Sequence, residues 1–237
     1  MLSQDLYKFE NGVLTFAPGV KHIREYMIPE EIRRTATKVV LPNTIKTIEK
    51  YAFGLFVSMK SINIPNSVKQ IGDYAFHNCS SLEHIDIGKG LKAIGTEAFI
   101  GCENVDVYIE DIASWCKIRF DSFISNPAYY TSNLYLNNKL IENLIIPEGV
   151  SFINKNAFIN NLNIKTVYLP TTIKNIEAGA FFNTEIKSVH ISDLSKWCKV
   201  TLHSQVSNPM FRSADLFLND KKVVDLAIPL NIEYIGP

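Results

Sequence analysis

Cysteine is scarce: the 237 residues carry four, none in a C-x-x-C pair and none with a histidine at metal-ligand spacing. That is too little for a disulfide framework or a zinc module. Net charge is missing too, since 24 Lys and Arg balance 24 Asp and Glu. A nucleic-acid or anionic-membrane surface needs clustered basic charge, so neither is expected as a partner. No apolar run approaches the roughly 18–20 residues of a membrane span. The opening stretch, Met1 to Glu10, has neither a basic start nor an apolar centre, so no signal peptide is expected in this chain. A G-x-x-x-x-G-K phosphate loop is also absent. The five histidines, His22, His77, His84, His190 and His203, share no common interval and are expected to be solvated. What the chain does have is apolar content, 46%, which is enough for a packed core and excludes wholesale disorder.

The apolar residues recur in phase. Ala-Phe stands at 52–53, 75–76, 98–99, 157–158 and 180–181, in steps of 23, 23, 59 and 23. An apolar residue precedes proline at Leu41-Pro42, Ile64-Pro65, Ile146-Pro147, Leu169-Pro170 and Ile228-Pro229, and Ile87-Gly88 is a version without proline. One unit, Met59 to Cys79, reads L-x-x-I-x-I-P-x-x-V-x-x-I-G-x-x-A-F-x-x-C, with Met at its first position. A longer period lies over this one. Asp111-Ile-Ala-Ser-Trp-Cys-Lys117 matches Asp193-Leu-Ser-Lys-Trp-Cys-Lys199, Ser125-Asn-Pro127 matches Ser207-Asn-Pro209, and Leu134-Tyr-Leu-Asn137 matches Leu216-Phe-Leu-Asn219, every pair 82 apart. Self-similarity at such periods is the mark of a solenoid. The expected organisation is a cap with a hairpin over residues 1–38, then a solenoid over 39–237. Two three-rung blocks, 65–146 and 147–228, make up most of it, with the last rung cut short after Ile228-Pro229.

The physical reading is direct. In Ile62-Asn63-Ile64 and Ile85-Asp86-Ile87, alternation puts two apolar side chains on one face and the middle residue on the other. Strands this short bury nothing alone, so they must stack into a parallel sheet. Proline then ends each strand and turns the chain. Val68, Ile71, Ala75 and Phe76 return apolar groups across the coil, and Gly72 and Gly95 supply either a positive φ or a close backbone approach. The long rungs predict short helices behind Asp111 and Asp193 and tight turns at Asn137-Asn138 and Asn219-Asp220. Asn11-Gly12 predicts a further hairpin. Cys79 and Cys102 are expected as buried free thiols rather than a disulfide or metal pair. Trp115-Cys116-Lys117 and its copy have no histidine at a repeated offset, which favours packing over a catalytic thiol. Asn78-Cys79-Ser80 has the form of a glycosylation sequon but is expected in a buried turn.

The unit formed by Ile64-Pro65, Ile71-Gly72 and Ala75-Phe76-x-x-Cys79 resembles the BspA-like leucine-rich repeats over about residues 38–236. The resemblance implies a strand-rich α/β leucine-rich-repeat solenoid, with a parallel sheet on one face and turns, short helices and hairpins on the other. It also implies a mostly bacterial and protist family, often secreted or on the cell surface and associated with adhesion to host or matrix proteins. Cys gives way to Phe56, Asn161 and Thr184 at equivalent places, so the thiol is not essential to the coil.

With no catalytic, cofactor or metal residues to nominate, the exposed face of the sheet is the candidate site. Its middle positions are Val40, Asn63, Asp86, Tyr108, Ile145, Tyr168, His190 and Ala227. Tyr108, Ile145 and Tyr168 are expected on consecutive rungs as an apolar-aromatic strip, flanked by Asn63, Asp86 and His190. Aromatics among small polar groups are a protein-binding composition, although good β-propensity alone would also place them there. The expected function is a non-catalytic protein-binding module in adhesion or in interaction with host or matrix proteins. A scaffold or spacer within a longer, intracellular chain is the alternative, and a module accompanying a catalytic domain is a third.

Overall fold

A computed structural model of the chain describes residues 6–225. Short strands pile up in two rows on opposite sides of a coil. In the first row, Val13–Phe16, Lys38–Val40, Ser61–Ile64, His84–Ile87, Asp106–Ile109 and Leu134–Leu136 run parallel. Tyr7–Glu10 closes one edge of that sheet antiparallel and Lys139–Leu140 closes the other. A second sheet continues the row with Asn143–Ile145, Thr166–Tyr168, Ser188–Ile191 and Asp215–Leu218, again closed antiparallel by Lys221–Lys222. Two-residue strands such as Thr47–Ile48, Gln70–Ile71 and Ala93–Ile94 form the opposite row.

Inward positions are in register. Leu14, Val39, Ile62, Ile85, Val107 and Leu134 stack in one line, and Leu144, Val167, Val189 and Leu216 in the next. Behind them the Ala-Phe turns form a column of parallel rings. Phe53 and Phe76 lie 5.4 Å apart, Phe76 and Phe99 5.0 Å, and Phe158 and Phe181 5.5 Å. The backbone follows the same stacking: the Phe76 amide donates to the Ala98 carbonyl at 2.8 Å and the Phe158 amide to Ala180 at 2.8 Å. Two left-handed residues bracket each turn, for example Tyr74 and Asn78 at φ 55° around Ala75-Phe76. They let alternate amides reach the next rung, as Tyr74, Phe76 and Asn78 do, while those of Ala75 and His77 bond within the turn.

Gly72 and Gly95 fulfil the second of their two expected roles. Neither is left-handed. A Cβ on Gly72 would lie 2.6 Å from the Lys50 amide, and one on Gly95 2.6 Å from the Asp73 amide. They are there because neighbouring rungs approach too closely for a side chain. The sequon is a correction: Cys79 is buried, but Asn78 and Ser80 on either side of it are exposed, because the left-handed Asn78 turns its side chain outward.

Residues ahead of the 23-residue phase also form a turn of coil. Val13–Phe16 and His22–Ile23 take their places in the two rows, and the helix Glu30–Thr35 stands where later rungs have Ala-Phe. Arg33, on that helix, is buried and donates to the carbonyls of Ile28, Tyr51, Gly54 and Glu25. Desolvation lowers its pKa, yet the four carbonyls keep the charge partnered. The restart at Ile228-Pro229 and the position of Ala227 lie outside the described residues.

The long rungs carry the expected helices. The Asp111 carboxylate accepts from the Ser114 amide at 2.8 Å, and Asp193 from the Lys196 amide at 3.0 Å. Burial would raise the Asp111 pKa, but the hydroxyl and amide of Ser114 outweigh it and hold the carboxyl below its ordinary range. Trp115 is buried and its indole donates to the Ala157 carbonyl at 2.8 Å. Asn126, fully buried, donates to the carbonyls of Asn156 and Ala157 at 2.9 and 3.1 Å. These two side chains join the first block to the second.

All four cysteines are free, three of them buried, with Cys198 partly accessible. The thiols of Cys79 and Cys102 donate to the Phe53 and Phe76 carbonyls at 3.1 and 3.0 Å. Alkylation of the native protein is therefore expected to label Cys198 first. Denaturation without reductant should expose four labelled positions, and a count of two would mean a disulfide. For the ring column, Phe76→Ala opens a cavity between two rungs and is expected to cost about 3–5 kcal/mol in denaturant unfolding. A loss under about 1 kcal/mol would show that the column is not what ties the rungs together.

Candidate functional site

Because side chains alternate along a strand, the residue between two inward ones faces solvent, and register lines such residues up from rung to rung. On the first sheet Asn63, Asp86, Tyr108 and Tyr135 are paired in sequence across four strands. On the second, Ile145, Tyr168, His190 and Phe217 are paired in the same way. The expected strip of Tyr108, Ile145 and Tyr168 is thus corrected. Ile145 and Tyr168 are neighbours, but the strand after Tyr108 carries Tyr135, and Ile145 opens a different sheet. The 37-residue step is a 27-residue turn of coil from Val107 to Leu134 followed by a 10-residue hairpin to Leu144, and that hairpin separates the two rows.

Tyr135 and Phe217 were absent from the sequence-derived candidates. Their signal was present in Leu134-Tyr-Leu136 and Leu216-Phe-Leu218, which alternate just as Val107-Tyr-Ile109 does.

Both rows are stacks of rings. His84 lies 4.0 Å from Tyr108, and Tyr108 4.5 Å from Tyr135 at an interplanar angle of 9°. In the second row Tyr168 lies 4.3 Å from His190, and His190 4.6 Å from Phe217 at 5°. His190 is not solvated as expected: its side chain is 15% exposed, held between two rings with Nδ1 3.0 Å from Asp220. His84 Nε2 lies 3.1 Å from Asp86. Burial by the neighbouring rings raises the Tyr108 pKa, and Asp106 and Asp86 raise it further. Tyr135 is raised first by burial, then by Asp106 and by Tyr108.

A groove of about 800 Å³ runs over the first row. Lys38, Asn63, His84, Asp86, Tyr108 and Glu110 line it, and the Asn137–Asn138 turn of the hairpin forms a wall. Both turn residues are left-handed, at φ 49° and 63°, as the tight turn requires. Elsewhere, Ile145 is 62% exposed at the start of the second row. No helix among the described residues is long and apolar enough to cross a membrane.

The sequence profile described as "BspA type Leucine rich repeat region" matches six copies, over residues 21–123 and 114–207. No curated protein matches the chain. Among solved structures it is similar to a leucine-rich-repeat protein of T. pallidum, at 19% identity and TM-score 0.49 over 87% of this chain and 86% of that one. A leucine-rich cell-surface protein of Faecalibacterium prausnitzii matches at 23% identity and TM-score 0.47, over 91% of this chain and 52% of that one. A leucine-rich-repeat protein of Bacteroides ovatus matches at 24% identity and TM-score 0.40, over 78% of this chain and 45% of that one. The chain therefore spans about half the length of the last two.

The stacked phenols have a pH consequence. A phenol whose folded pKa is raised stabilises the fold fully below the unfolded value of about 10 and loses that contribution as pH rises through the folded one. Tyr108→Phe with Tyr135→Phe should flatten the alkaline loss of stability measured by denaturant midpoint. An unchanged alkaline limb would place the titrating groups elsewhere.

Proposed function

The chain belongs to the BspA-type leucine-rich-repeat family, whose repeats are in general protein-interaction modules, and from that premise we propose that it is a non-catalytic protein-binding module acting through its two outward rows. One observation carries the reading: two rows of rings lie on the outer face, where the fold needs only β-propensity. Rings packed on each other across strands gain something in stability, but an apolar side chain as open as Ile145 gains nothing from facing water. Aromatic side chains held rigid in a row bind at low entropic cost. The thiols do not favour a catalytic reading, since burial pushes Cys79 and Cys116 up, opposite to what a nucleophile needs. We place the partner among host or matrix proteins, and the module at the cell surface, on the family resemblance alone.

Surface plasmon resonance against fibronectin, fibrinogen, laminin and collagen tests this. Tyr108→Ala and Tyr168→Ala are each expected to weaken a bound partner by about 1–3 kcal/mol while changing stability much less. Unchanged affinity in the double variant would move the site to the long-rung loops, residues 126–133 and 208–213. No binding to any of the four would favour the scaffold alternative.

A further inference from the structure

The two blocks are copies, so position by position the second shows what the first could do without. The groove over the first block holds Asp86 and Glu110, with Asp106 beside Tyr108. Their equivalents 82 residues later are Tyr168, Ser192 and Ser188, all neutral. The second block forms the same strands in the same register without these carboxylates. The coil does not require them. At the Tyr108 end of the groove, negative charge gathers with no Lys or Arg lining it; the only such residue among those lining the groove is Lys38, three strands away.

The shape narrows the occupant further. Four strands from Lys38–Val40 to Asp106–Ile109 span three spacings of about 4.8 Å, roughly the length of four residues of extended peptide. Tyr108 has His84 on one side and Tyr135 on the other, so it offers no open face for a sugar or a base to stack upon. What points outward is hydroxyl, carboxylate and amide.

We propose that the groove of the first block takes an extended peptide segment bearing an arginine or lysine, whose cationic head sits among Asp86, Glu110 and the Tyr108 hydroxyl. The second row, with neutral equivalents, does not share this preference. The proposal rests on the reading of the outer face as a protein-binding surface and adds the chemistry of the segment bound. Charge-assisted hydrogen bonds to a guanidinium are directional and weaken with salt when the site is open to solvent.

The test is calorimetric titration with acetyl-Gly-Arg-Ser-Arg-Gly-amide and with its citrulline counterpart, which keeps the shape and loses the charge. The arginine peptide is expected to bind about tenfold tighter, with the difference shrinking between about 0.05 and 0.5 M salt. Asp86→Tyr with Glu110→Ser installs residues that the second block already tolerates, so the fold survives, and it should erase the preference. Equal binding of the two peptides, a preference that persists in the double variant, or no arginine-peptide binding at millimolar concentration would each overturn the proposal. A separate variant, Asn63→Trp, plugs the groove: if the two peptides bind equally and this variant abolishes their binding, the face remains a peptide site and only its charge preference has failed.

Discussion

Everything in this molecule depends on a rung being unable to bury its own apolar face. A strand such as Ile62-Asn63-Ile64 has two inward side chains and nothing opposite them except the next rung's pair and the column of phenylalanines behind. Stacking is therefore compulsory, and it is specified three times over: by the strand ladder, by the ring column, and by the Phe amide that donates to the Ala carbonyl of the following rung. A slip of one residue would turn every inward side chain outward. The outward side chains inherit this precision without contributing to it. That is why Tyr108 meets Tyr135, and His190 meets Phe217, at stacking distance.

The hairpin after Leu134–Leu136 interrupts that regularity. Its returning strand, Lys139–Leu140, occupies the edge on which the next parallel strand would have paired, so the first sheet ends and a second begins at Asn143–Ile145. Continuity is kept on the other side of the coil instead. Trp115 and Asn126 reach across to the backbone of Asn156 and Ala157, and the Asn154 amide donates to the Cys116 carbonyl at 2.9 Å. Buried polar side chains are stabilising only when they are satisfied, and here the Trp115 indole and Asn126 amide take up the Ala157 carbonyl, whose equivalents Ala75 and Ala98 accept the Phe amide of the preceding rung. The result is one continuous core beneath two separate outer rows.

Much of this was legible in the sequence because it is periodic. The Ala-Phe and Ile-Pro spacings locate the strands, the turns and the inward residues, and the 82-residue correspondence locates the helices behind Asp111 and Asp193. Legibility failed where period and geometry part. A 37-residue step looks like one long rung, whereas the chain completes a coil at Leu134 and then doubles back, which only the pairing of Val107 with Leu134 and of Leu136 with Lys139 makes visible. Asn78 was misplaced for a different reason. It neighbours a buried cysteine in sequence, but a left-handed φ rotates its side chain away from the core. His190 was read as solvated because a lone histidine carries no pattern; its environment comes from Tyr168 and Phe217, on strands 22 and 27 residues away in sequence.

The two copies within the chain separate what folding demands from what it permits. Inward, Ile62, Ile85, Val107 and Leu134 become Leu144, Val167, Val189 and Leu216, a change of shape with no change of chemistry. Outward, Asn63, Asp86, Tyr108 and Tyr135 become Ile145, Tyr168, His190 and Phe217, so that amide turns to aliphatic, acid to phenol and phenol to imidazole. Both sets occupy the same register on the same scaffold. Since the inward set already fixes the backbone, the outward set is free to differ, and differ it does at all four positions. The ring stacks survive that divergence in a new form, with an imidazole between a phenol and a phenyl in place of a phenol between an imidazole and a phenol. A scaffold that holds planar side chains at one strand spacing makes such stacks from whatever rings it is given. The two faces of this chain are therefore chemically distinct surfaces produced by one geometry.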